Sequence, residues 1–149
     1  MFRGTYEHAV DAKGRTALPA KFREVLQGKY GDGALVLAPS PDGAPCLRAY
    51  PLQEWVAMEE KLAAKGDFDS RIVKLRRFLV GTSHEVDTDK LGRLLVPQPL
   101  RERFGLKKDI SFVGTTKYFE IWDAETFRNY TQQQLSEGDL LLDIEGLSI

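Results

Sequence analysis

The stretch VDAKGRTALPAKFR, Val10 to Arg23, returns 78 positions later as TDKLGRLLVPQPLR, Thr88 to Arg101. The shift lays Asp11 on Asp89, Gly14 on Gly92, Arg15 on Arg93, Pro19 on Pro97, Arg23 on Arg101 and Glu24 on Glu102. In each copy an Asp-x-x-Gly-Arg turn is followed by a short apolar stretch and a proline. Gly14 and Gly92 can take the positive φ that a tight connection demands, so each copy reads as a β-hairpin. Pro19 and Pro97 cannot donate to a strand ladder, and their fixed φ suits the first turn of a helix.

Working outward, the first hairpin joins Glu7–Asp11 to Thr16–Leu18, and a short helix spans Ala20–Leu26, closed by Gly28. A buried strand over Ala34–Ala38, a Pro-rich turn over 39–45, a strand over Cys46–Tyr50 and a helix over Leu52–Lys65 follow. The helix places Leu52, Trp55, Val56, Glu59 and Leu62 at helical spacing, four of them apolar. The second half repeats the order: strands Ser83–Asp87 and Leu94–Val96, helix Leu100–Phe104, strands Ile110–Gly114 and Tyr118–Trp122, helix Ala124–Leu135. Tyr50 now matches Trp122 and Trp55 matches Phe127, at an offset of 72. The missing six residues are assigned to the longer Pro-rich turn of the first copy. Between the copies, Asp69 caps a helix with an apolar stripe of Ile72, Leu75, Phe78 and Leu79. The domain organisation is therefore a first repeat over 1–68, a connecting helix over 69–81, a second repeat over 82–135 and a C-terminal tail over 136–149.

A unit of this size hardly buries its own sheet, so two fused units are expected to pack as a pseudo-dimer. The expected class is α+β: tandem hairpin/helix repeats around a β-barrel-like core with flanking helices. Edges left exposed invite association into a homo-oligomer, and contacts that close give a ring.

At 149 residues, 42% hydrophobic and 29% charged, the chain has the composition of a soluble globular protein. The N-terminal stretch has no apolar leader-like region and no run approaches a membrane span, so a cytoplasmic protein without membrane contact is expected. Cys46 is alone, which excludes an intramolecular disulfide and a Cys-rich metal site. His8 and His84 are not equivalent in the repeat and belong to no ligand-spaced cluster. The sequence contains no phosphate-cradling glycine loop and no nucleophile elbow. An enzyme is not expected, and neither a cofactor nor a metal.

The net charge of −1 hides segregation. Residues 1–29 carry +3, 31–69 carry −4, 70–108 carry +6 and 119–149 carry −6. Both turns lie in basic blocks, so a basic face on a near-neutral protein is expected. Lys13 and Arg15 flank the first tip, and Lys90 and Arg93 the second. An arginine fork held at a hairpin tip suits phosphate contact or bidentate reading of guanine, and the major groove admits a two-stranded ribbon.

These features resemble the MraZ family, whose halves each look like a SpoVT-AbrB swapped-hairpin domain with a D-x-x-x-R signature. The signatures here are Asp11-Ala-Lys-Gly-Arg15 and Asp89-Lys-Leu-Gly-Arg93, and the resemblance runs from the opening Met-Phe-Arg-Gly to about Leu135. It implies a nucleoid-associated bacterial transcriptional regulator, usually a repressor, of the division and cell-wall gene cluster. It also implies a ring of eight to twelve protomers on short direct repeats of double-stranded DNA upstream of its own operon. Carried over by position, Arg15 is the first candidate for DNA contact, with Lys13 beside it and Arg3 near the same sheet. Arg93 matches Arg15, while Lys13 faces Leu91 and the second lysine, Lys90, stands opposite Ala12. The first copy is expected to read DNA and the second to have a partial or interface role. The alternative is an AbrB-like protein-interaction or antitoxin-type module.

Overall fold

The computed structural model describes residues 1–137, 144, 146 and 147. Its elements run β1 (Thr5–Ala9), β2 (Arg15–Ala17), α1 (Ala20–Val25), β3 (Ala34–Pro39), β4 (Leu47–Pro51), α2 (Leu52–Ala64), α3 (Ser70–Leu79), β5 (His84–Asp87), β6 (Arg93–Leu95), α4 (Gln98–Phe104), β7 (Asp109–Gly114), β8 (Phe119–Asp123) and α5 (Ala124–Glu137). The fold is α+β, and its sheets are antiparallel.

Six strands form one sheet in the order β1-β7-β8-β4-β3-β5, and β2 pairs with β6 in a separate ribbon. Exchanging each strand for its repeat counterpart reverses this order, so a pseudo-twofold axis crosses the sheet between β4 and β8. There Arg48 is the partner of Glu120, its own counterpart at offset 72. The same axis crosses the ribbon between Thr16 and Leu94, counterparts at offset 78.

Two expectations change. The strands flanking each turn do not form a hairpin ladder. The chain turns tightly, with Asp11 N–H donating to the Arg15 carbonyl (2.9 Å) and Gly14 N–H to the Asp11 carbonyl (3.0 Å), and then the strands part. β1 pairs with β7 of the other half, and β5 with β3. Each half thus completes its sheet with a strand borrowed from the other, burying apolar faces that one half would leave open. Nor does the sheet close into a barrel among the described residues. β1 and β5 are its two edges, because the ribbon packs on the sheet face instead of bridging them.

The six-residue difference between the repeats also divides. Element starts fall from an offset of 78 at β6 and α4 to 75 at β7 and 72 at β8. Half of it therefore lies before β3. There α1 runs into a π-type turn over Leu26–Tyr30 that passes through Gly28, and Gly31 (φ 77°) closes the turn instead. The other half lies in the connection between β3 and β4.

The core lies between the sheet and the ribbon with its helices. Leu35, Leu37, Leu47, Ala49, Ile110, Phe112, Phe119 and Ile121 meet Leu18, Phe22, Leu94, Val96 and Leu100 there. Phe22 packs edge-on against Phe2, Tyr6 and Phe112 and lies tilted over Phe119. On the opposite face, α2 and α3 cover Val36, Ala38 and Tyr50 through Trp55 and Leu79, while Phe127 and Tyr130 of α5 cover Trp122. Val56, placed by spacing on the buried stripe of α2, is exposed, and Met58 packs in its stead. Cys46 is fully buried, and burial pushes its thiol pKa up, leaving it inert. No helix among the described residues is long and apolar enough to cross a membrane.

Candidate nucleic-acid interface

Each Asp-x-x-Gly-Arg turn is a closed hydrogen-bonded unit. Asp11 Oδ1 accepts from the backbone N–H groups of Lys13 (2.9 Å) and Arg15 (2.9 Å), and Oδ2 accepts from Arg15 Nε (2.8 Å). Asp89 does the same with Leu91 N–H (2.9 Å), Arg93 N–H (2.8 Å) and Arg93 Nε (2.8 Å). The donated bonds from the arginine's backbone N–H, then from its guanidinium, hold both carboxyls below the usual aspartate value. Only Nε of each arginine is engaged. The two terminal nitrogens carry no hydrogen bond to the described residues, so a planar fork is oriented and left free.

Gly14 (φ 88°) and Gly92 (φ 75°) are needed twice over. Their backbone is left-handed, and a Cβ at either would strike an arginine of the other half: Arg101 at Gly14, Arg23 at Gly92. The reciprocity extends to the main chain, where Val96 N–H donates to the Gly14 carbonyl (2.9 Å) and Leu18 N–H to the Gly92 carbonyl (3.0 Å). Arg101 Nε donates to the Val96 carbonyl (2.9 Å). Each turn is therefore built by both halves.

The ribbon register brings the two turns together. Arg15 pairs with Leu95, Thr16 with Leu94 and Ala17 with Arg93. Thr16 and Leu94 point into the core, so Arg15, Ala17, Arg93 and Leu95 share the outward face. Two residues of rise and one strand spacing separate the Cα atoms of Arg15 and Arg93 by about 8 Å. Both arginine side chains are about a third exposed, at 34% and 35%. Lys13, Lys90 and Leu91 stand exposed at the tips.

Arg3 is not gathered into this face. The whole of β1 separates it from Asp11, and it lines a recess with Tyr6, Lys21, Phe22, Glu24 and Val25. Arg23 and Arg101 are the residues that sequence reasoning passed over. Their recurrence at the shared offset was visible, but nothing local to either copy ties an arginine on α1 to the turn of the other half. Among the described residues no group of three or more His, Cys, Asp or Glu is placed to hold a metal ion. His8 is committed to structure, with Nδ1 against the Ala17 carbonyl and its ring edge-on to Phe112.

Comparison with known proteins agrees with the repeat. The family described as "MraZ protein, putative antitoxin-like" matches residues 1–74 and 79–140. A protein of Methylobacillus flagellatus named transcriptional regulator MraZ is 40% identical over the full length of both chains. Proteins of the same name from Acetivibrio thermocellus (41% identical, 88% of this chain and 87% of the relative) and Shewanella oneidensis (39%, 99% and 97%) are similarly close. The interlocked turns and the full-length match lead to one assignment: the chain belongs to the MraZ family.

Proposed function

We propose that this protein is a DNA-binding transcriptional regulator that inserts the β2/β6 ribbon into the major groove. The observation that carries the reading is the pair of aspartate-braced arginine forks on one outward face, their Cα atoms about 8 Å apart. A groove about 12 Å wide admits such a ribbon, and a fork fixed at Nε presents its terminal nitrogens to guanine O6 and N7 or to phosphate. Arg15, with Lys13 at its tip, is the principal reader. Arg93 and Lys90 make the weaker contacts, Arg23 and Arg101 brace the turns and add positive charge, and Arg3 acts at most on flanking phosphates. The relatives' names support regulation of transcription. The finer reading is a cytoplasmic, nucleoid-associated repressor of its own division and cell-wall operon, bound to short direct repeats.

Each repeat is a SpoVT-AbrB-type unit in this reading, and several chains join in a ring of eight to twelve. The open edges at β1 and β5, and Phe68 wholly exposed between α2 and α3, offer surfaces for association. The test is binding to a duplex from upstream of the protein's own coding sequence, read by fluorescence anisotropy across a salt series. Affinity falls steeply with salt, and Arg15→Ala weakens it by about tenfold or more with particle mass unchanged. Equal binding by Arg15→Ala, and by Arg15→Ala combined with Arg93→Ala, overturns the reading.

The antitoxin-like description of the family keeps a second reading in view, a protein-interaction module. Recovery of a stoichiometric protein partner, with no binding to promoter DNA, decides for it.

A further inference from the structure

The outward face of the ribbon is not symmetric although its backbone is. Arg93 and Leu95 share the outward face of β6, Leu91 stands in the turn just before that strand, and the two leucines are 69% (Leu91) and 53% (Leu95) exposed. Their counterparts in the first half are Lys13 and Ala17. The core does not use these leucines, because Leu94 is the residue of that strand that points inward. Leu95 stands directly across the ladder from Arg15, with Cβ atoms about 5 Å apart. That spacing is one to two base steps of about 3.4 Å.

We propose, resting on the reading above, that Leu91 and Leu95 are specificity-determining residues that contact thymine methyl groups. Leu95 reads the step beside the base that takes the Arg15 fork, and Leu91 reads the step beyond Arg93. An apolar side chain held among arginines on a groove-facing ribbon has one apolar feature to meet on the major-groove edge, the thymine C5 methyl. The first half offers Lys13 and the shorter Ala17 at these positions, so the footprint of one chain is directional: two long apolar side chains on the β6 side, one lysine and one methyl on the β2 side. A chain that reads with a direction is served by repeats in one orientation.

The test uses the upstream duplex in two forms, one with thymine and one with uracil throughout, so that the bases differ by the C5 methyl alone. Wild-type protein binds the uracil duplex about fourfold more weakly for each methyl it meets, the effect of losing one buried methyl group. Leu91→Ala combined with Leu95→Ala binds both duplexes alike, near the wild-type affinity for uracil DNA. Both leucines are exposed, so the variant's melting temperature stays near wild type. An equal thymine preference in wild type and variant overturns the proposal, since the preference then comes from DNA shape. A change in particle mass in the variant also overturns it, by showing that the leucines cover another copy. If wild type binds both duplexes equally and Arg15→Ala weakens binding to both, thymine reading fails alone. If wild type binds neither, the DNA reading fails with it.

Discussion

The first turn carries an exposed Lys13 before Gly14, and the second an exposed Leu91 before Gly92. Behind them the two are nearly superimposable in chemistry: the same three bonds to aspartate, within 0.1 Å of each other, and the same glycine pressed by the other half's arginine. The repeat is kept where a change would break the turn and relaxed where the side chain meets solvent. Fork placement is thus a property of the scaffold. What surrounds each fork is free to differ, and there the halves divide their work.

The largest effect that sharpens this comparison lies in the core. Phe22 and Leu100 are counterparts, and Phe22, the larger, packs against four aromatic rings. Phe22→Ala should cost about 3–5 kcal/mol and Leu100→Ala less, by denaturant unfolding. Equal losses would show that the halves share their core evenly. Next come the forks. Arg15→Ala should weaken DNA binding more than Arg93→Ala, and the reverse order would transfer the reading role to the second half. Asp11→Asn should loosen the Arg15 fork, because an amide nitrogen turned toward Nε sets donor against donor. Affinity should fall by roughly tenfold, the scale of one charge-assisted bond. No loss would show that the brace is dispensable.

A smaller effect separates the tips. Lys13→Ala should reduce the salt slope of binding by about 0.9 for each phosphate that the lysine neutralises, and Leu91→Ala should leave it unchanged. The smallest concerns acid. Both carboxyls are lowered on folding, so their contribution is present above the unfolded value of about 3.9 and is lost only as pH falls through the lower folded value. Carbon-detected NMR titration should place Asp11 and Asp89 together below that value. A midpoint at or above it for either would mean its turn is open.

Much of this was legible in advance. The recurrence at 78 positions located both turns, Pro19 and Pro97 marked the strand-to-helix changes, and Asp69 caps its helix as its position suggests, accepting from Arg71 N–H. The partners of the strands were not legible. Residues 10–18 look like a hairpin because the turn bonds are local, while the pairing of β1 with β7 depends on which apolar face needs covering far along the chain. The split of the six-residue difference was hidden for a related reason, since a π-type turn at Leu26–Tyr30 leaves no compositional mark like that of a Pro-rich loop. For the interface, Arg15 and Arg93 were legible as tip residues but not as neighbours on one ribbon. The reading of the tail over 136–149 falls, past Glu137, almost wholly outside the described residues.

The axis through β4 and β8 bears on how copies avoid one another. Arg48 faces Glu120, and each is the other's repeat counterpart. If two chains paired first half with first half along this seam, Arg48 would face Arg48, and second with second would set Glu120 against Glu120. Like charges directly opposite across strands are destabilising. The seam therefore selects for unlike halves: a first half is matched by a second half and mismatched by another first half.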